Sequence, residues 1–119
     1  PRTAPEDLQE VEELEVNGLH FTLRAVDDKP MWRPVGIPDD YISFDLQLDY
    51  TMDDGADLED RSLLYNEGYF LAPDGTEYQA GSAYSNEGES YYGLSVGVPE
   101  GTEITELVFV YGDQKLLLA

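Results

Sequence analysis

The sequence contains no cysteine, a single histidine and only six basic residues among its 119. The lack of cysteine excludes a disulfide scaffold and a thiolate metal site. Neither a G-x-S-x-G motif nor a glycine-rich phosphate loop followed by a helix occurs. His20 falls on the polar face of a strand pattern, which indicates an exposed strand residue. We therefore expect a protein that is not an enzyme.

No apolar run approaches the roughly 20 residues that a membrane-spanning helix needs, so we expect no membrane insertion of this stretch. Residues 1–15 are polar and acidic, unlike a signal peptide. Because the chain begins with proline rather than methionine, we interpret it as a trimmed or mature fragment, compatible with a removed export signal. We expect an extracellular or cell-envelope location.

Acidic residues outnumber basic ones by 26 to six, which gives a formal net charge of −20. Such a chain repels nucleic-acid phosphates and anionic membranes, and it attracts cations and basic proteins. The charge also permits a DNA mimic, which would need carboxylates spaced like phosphates along one face. A solvated surface that keeps the chain soluble is the ordinary interpretation, and we favour it.

Most of the chain is predicted to form strands with short connections. Residues 1–15 read as an acidic linker or tail, with a short helix over 5–14 as an alternative, and residues 16–119 as one domain. Apolar residues alternate with polar ones over 19–25 and 92–98, and most clearly over 41–52. Asn17-Gly18 and residues 73–76 have the composition of tight turns. These patterns predict an all-β fold, an antiparallel immunoglobulin-like sandwich of about seven strands.

Four segments carry a family resemblance: the long alternating strand over residues 41–50, then residues 69–78 (YFLAPDGTEY), 93–101 (GLSVGVPEG) and 106–111 (ELVFVY). Their rhythm resembles that of the telokin-like, immunoglobulin-like domains of unknown function in secreted lipoproteins of Gram-positive bacteria. The family usually has an asparagine-containing turn after its long strand, whereas this chain has residues 53–57 (DDGAD) there. The resemblance implies an exported, non-enzymatic β-sandwich and supplies no catalytic residues.

Two groups of side chains are candidate binding residues. The first is the acidic loop, whose carboxylates are the ligand type that calcium prefers: Asp53, Asp54, Asp57, Glu59 and Asp60. Their order does not follow the EF-hand pattern, and a solvated loop is the alternative. The second comprises aromatic residues on loops or polar faces, namely Trp32, Tyr84 and Tyr91, which can stack on sugars or anchor a protein partner. Packing of Trp32 over a sandwich edge is the alternative for that residue.

We therefore expect an interaction or adhesion module of a secreted lipoprotein. A carbohydrate-binding module is the alternative, and a DNA mimic is a weaker one. We expect a monomer, no cofactor other than a calcium ion at the acidic loop, and a protein or carbohydrate partner.

Overall fold

Ten β-strands in two sheets form most of the fold in a computed structural model, which describes residues 3–27, 38–82 and 91–119. The strands are β1 Gln9–Val11, β2 Glu13–Val16, β3 Leu19–Asp27, β4 Tyr41–Met52, β5 Tyr69–Leu71, β6 Glu77–Gln79, β7 Gly81–Ser82, β8 Tyr91–Pro99, β9 Val108–Tyr111 and β10 Gln114–Leu117. A short helix, α1, spans Leu63–Glu67, and 3-10 helices span Pro5–Asp7, Leu58–Ser62 and Ile104–Glu106.

The two sheets pack face to face as a sandwich. Sheet A has the strand order β1-β10-β9-β5-β6, and sheet B has the order β2-β3-β4-β8-β7. All pairs are antiparallel except β1 with β10. The all-β sandwich predicted from the sequence is therefore confirmed. The predicted number of about seven strands is wrong, because the short strands β1, β2 and β7 were not anticipated.

The core lies between the sheets and follows the period-two alternation. Phe44, Leu46 and Leu48 of β4 are buried, while Asp45, Gln47 and Asp49 between and after them are only half-buried, as alternation along one strand requires. Phe70 and Phe109 of sheet A meet edge to face, with 5.0 Å between ring centroids. The strand predicted over residues 41–52 is thus confirmed, although Met52 at its end is 44% exposed and does not join the core.

The predicted turns connect the strands as their composition requires. Asn17 and Gly18 both have positive φ, 48° and 88°, which is the backbone of a two-residue turn between β2 and β3. Gly75 in the β5–β6 connection has φ 91°, and the Asp74 carboxylate accepts a hydrogen bond from the Thr76 backbone N–H at 2.9 Å. This hydrogen bond lowers the pKa of Asp74.

The acidic N-terminal segment was expected to be a linker or a helix, but from residue 9 it forms strands of both sheets. Its helix is limited to the 3-10 turn Pro5–Asp7. Leu14 is fully buried in the main core, and Leu8 packs on the outer face of sheet A against Tyr69 and Val110. Burial of these leucines stabilises the strands, and the neighbouring carboxylates still point to water and keep their solvation.

Candidate functional site

The helical connection between β4 and β5 places Arg61 against aromatic side chains of sheet B. The Asp57 carboxylate caps its 3-10 helix by accepting a hydrogen bond from the Glu59 backbone N–H at 3.0 Å. The Ser62 hydroxyl donates to the Glu59 carbonyl at 2.9 Å. Leu64, which is fully buried, fixes α1 on the core. The backbone that carries Arg61 is therefore held at both ends.

The guanidinium of Arg61 lies against two tyrosine rings. Its Cζ atom is 5.5 Å from the ring centroid of Tyr50 and 5.2 Å from that of Tyr92. Its Nε donates to the Leu58 carbonyl at 3.1 Å, and its Nη1 lies 3.4 Å from the Tyr50 hydroxyl. Cation–π attraction and these hydrogen bonds orient the planar group. Its Nη2 donors have no acceptor among the described residues, so they can meet a ligand.

Arg61 has no ion-pair partner within 4.0 Å in the part of the chain that the structure describes. The chain contains 26 acidic residues, and two of them, Glu59 and Asp60, directly precede Arg61 in the sequence. The Asp60 carboxylate instead lies 3.5 Å from the side-chain nitrogen of Asn17. Arg24, by contrast, lies 3.1 Å from the Asp49 carboxylate. The positive charge of Arg61 is therefore available to a partner.

An open cleft of about 410 Å³ lies beside Arg61. We call it the tyrosine cleft, and its lining residues are Leu58, Glu59, Arg61, Ser62, Tyr65, Ser82 and Tyr92. Tyr65 and Tyr92 are half-buried, and Leu58 is 38% exposed. The volume is in the range of small-ligand pockets, and the lining combines aromatic rings with a few polar groups.

The hydroxyl of Tyr92 stays protonated at neutral pH. Burial, and to a smaller extent the neighbouring Tyr65, raise the pKa of Tyr92 to about 12 against the opposing effect of Arg61. The cleft therefore offers a neutral hydroxyl and a fixed cation. These groups can bind a ligand by hydrogen bonds and by stacking.

His20 lies on the outer face of sheet B, as alternation predicts, but both of its ring nitrogens are engaged. Nδ1 lies 3.1 Å from a Glu13 carboxylate oxygen, and Nε2 lies 3.1 Å from both carboxylate oxygens of Asp53. Ionised carboxylates only accept hydrogen bonds, so this arrangement favours the doubly protonated ring. The hydrogen bond with Asp53 contributes most to raising the pKa of His20, and burial opposes it.

The five acids predicted as calcium ligands do not converge. Asp53 contacts His20, Asp57 caps the 3-10 helix, and Asp60 contacts Asn17. Asp54 and Glu59 are exposed. Within residues 3–27, 38–82 and 91–119, no group of three or more histidine, aspartate or glutamate side chains could hold a metal ion. The predicted calcium site gains no support from this arrangement and stays a prediction.

Of the three predicted ligand-contacting aromatics, only Tyr91 lies in the described residues. It is half-buried, pairs with Asp49 across β8 and β4, and has the Arg24 guanidinium 5.4 Å from its ring centroid. Trp32 and Tyr84 lie outside the described residues. Tyr91 is therefore the one predicted aromatic residue that the structure describes, and the ion-paired Arg24 covers its ring.

The sequence analysis did not single out Arg61 and Tyr65 as candidate binding residues, and it assigned Tyr92 to the core. The core assignment was partly right, because Tyr92 packs against buried residues with one part of its ring. No local motif marks Arg61, since the rings that hold it come from β4 and β8. An arginine within an acidic segment was the one available signal.

No family model, curated protein sequence or solved structure matches this chain. The resemblance to telokin-like domains thus stays a prediction. Among the described residues, no helix is both long enough and apolar enough to cross a membrane.

Proposed function

We propose that this chain is a non-enzymatic interaction or adhesion module of a secreted or cell-envelope lipoprotein, and that it contacts its partner through the tyrosine cleft. The observation that carries the proposal is Arg61, held against two tyrosine rings without an ion-pair partner among the described residues. Tyrosine and arginine are enriched in the few residues that dominate binding energy at protein interfaces. Leu58 adds exposed apolar area beside them.

The groups at the cleft support binding rather than catalysis. Ser62 donates its hydroxyl hydrogen to a backbone carbonyl, so no base activates it there. His20, the one histidine of the chain, has both ring nitrogens engaged by carboxylates. A nucleophile and a base within hydrogen-bond reach are the usual requirement of covalent catalysis. The exported location is supported by the family resemblance alone.

Carbohydrate binding is the second candidate, and the aromatic lining of the cleft favours it. Tyr65 and Tyr92 present ring surface beside the hydroxyls of Ser62 and Ser82. Sugars bind by stacking their apolar face on aromatic rings while their hydroxyls exchange hydrogen bonds with polar groups. The chemistry of the ligand separates this candidate from protein recognition.

A random-peptide display library and a glycan array, each probed with the same protein, test both candidates. We expect the strongest enriched ligand to bind Arg61→Gln and Tyr65→Ala at least about tenfold more weakly than the unsubstituted protein. Arg24→Gln is the matched control, because Arg24 also lies on a tyrosine ring but is ion-paired.

Enriched peptides would assign the chain to protein interaction, and enriched glycans would assign it to carbohydrate binding. Ligands that depend on Arg24 and not on Arg61 would contradict the cleft. A lack of any enriched ligand would contradict the binding function itself.

A further inference from the structure

A groove at one corner of the sandwich shares no residue with the tyrosine cleft. We propose that it docks a basic, extended segment of a partner protein that carries aliphatic side chains. The inference rests on the proposed interaction function, and it adds the chemistry of the partner. The groove has a volume of about 610 Å³.

The groove arises where the chain crosses from sheet A to sheet B. A single residue, Glu12, separates β1 from β2. In the described residues β1 is the edge of sheet A, and β2 pairs with β3 only from Leu19 to Thr22. Leu23 therefore lies beyond the end of β2, and the two sheets are open to solvent at this corner. Edge strands offer backbone groups to an added extended segment.

The lining of the groove is largely aliphatic. Leu116 is buried and forms part of its floor, while Val11 and Leu23 are half-buried and pack against the core. Leu117 is 43% exposed, which makes it one of the most exposed large apolar residues described. An aliphatic side chain inserted among these residues would remove apolar surface from water on both partners.

The rim of the groove is acidic. Glu10 and Glu12 are exposed, and neither has an ion-pair partner within 4.0 Å among the described residues. Lys115 is paired with Glu10 in the register of β1 and β10, yet the two charges do not form an ion pair. Two unpaired carboxylates beside an aliphatic groove are complementary to lysine or arginine alternating with aliphatic residues.

Charge also argues against a second copy of this chain as the occupant. Each copy carries a net charge of −20, so two copies repel each other as they approach. A basic segment is attracted by the same field, which raises its association rate at low salt. The partner that fits both the groove and the charge is therefore basic.

The direct test is a titration followed by backbone amide NMR, with an extended peptide of about ten residues that alternates lysine and valine. We expect amide shifts at Val11, Leu23 and Leu117. The double variant Glu10→Gln/Glu12→Gln should bind the peptide at least about fivefold more weakly, whereas Glu100→Gln/Glu103→Gln, which removes the same charge elsewhere, should bind less than about twofold more weakly. A peptide of alternating lysine and serine should also bind at least about fivefold more weakly.

Three results would overturn the inference. Equal losses in the two double variants would mean that long-range charge alone attracts the peptide. Shifts confined to Arg61 and Tyr65 would reject the groove but leave the interaction function through the tyrosine cleft standing. A concentration-dependent dimer with shifts at Val11 and Leu117 without peptide would make a second copy the occupant.

Discussion

At the scale of single residues, His20 gives the clearest pH dependence. Its contacts with Glu13 and Asp53 raise its pKa above the ordinary value of 6.5. A histidine whose pKa is higher in the folded than in the unfolded protein stabilises the folded state when it is protonated. This stabilisation is complete below the pKa of the unfolded protein and is lost as the pH rises through the pKa of the folded protein. We therefore predict that the unsubstituted protein has a larger free energy of unfolding than His20→Gln. The difference between the two should be largest below pH 6.5 and should shrink as the pH rises above 6.5.

Urea unfolding of both proteins across this pH window measures the difference, and NMR titration of the imidazole gives the folded pKa directly. Because His20 lies near the surface, the effect should be small and should weaken in salt. A folded pKa at or below 6.5, or a difference that grows with pH, would contradict the double contact.

The residue scale also shows where sequence reasoning ends. Alternation along residues 19–25 placed His20 on the outer face correctly. It could not reveal the contact with Asp53, which follows a different strand. The contacts of Arg61 with Tyr50 and Tyr92 could not be predicted from the sequence either. The two rings lie on different strands, and the pairing of those strands brings them together.

At the scale of elements, the long strand β4 was predictable and the short strands were not. Six apolar residues at every second position over 41–52 favour a strand over a helix, because a helix would scatter them around its circumference. β1 and β2 contain few apolar residues among carboxylates, a composition that also suits a solvated tail. Their strand state comes from pairing with β10 and β3, which is a tertiary effect.

The end of α1 supplies a test at the element scale. Gly68 follows the helix, donates its N–H to the Leu64 carbonyl, and leaves no room for a Cβ atom, which would meet that carbonyl and the Phe109 ring. We predict that Gly68→Ala lowers the free energy of unfolding by about 2 kcal/mol, because the contact between the helix and β9 must open.

Urea denaturation measures this loss, and Asn66→Ala is the control because Asn66 is exposed in the same helix. The control should change stability by less than about 0.5 kcal/mol. A Gly68→Ala protein as stable as the control would show that α1 is not packed closely on Phe109.

At the scale of the whole molecule, the net charge of −20 should oppose folding through self-repulsion. Sodium chloride should therefore raise the melting temperature. Because the acids of the predicted calcium loop do not converge on one point, calcium and magnesium at equal ionic strength should raise the melting temperature equally, to within about 1 °C. Thermal unfolding measured by circular dichroism checks this, and a rise specific to calcium would establish the calcium site predicted from the acidic loop.

The proposed function depends on the tyrosine cleft as its recognition surface. Its most direct test is a map of amide NMR shifts when the strongest ligand from the peptide library or the glycan array is added. The largest shifts should then fall on Arg61, Tyr65 and Tyr92. Largest shifts around Arg24, Asp49 and Tyr91 would contradict it and would place recognition on the outer face of sheet B.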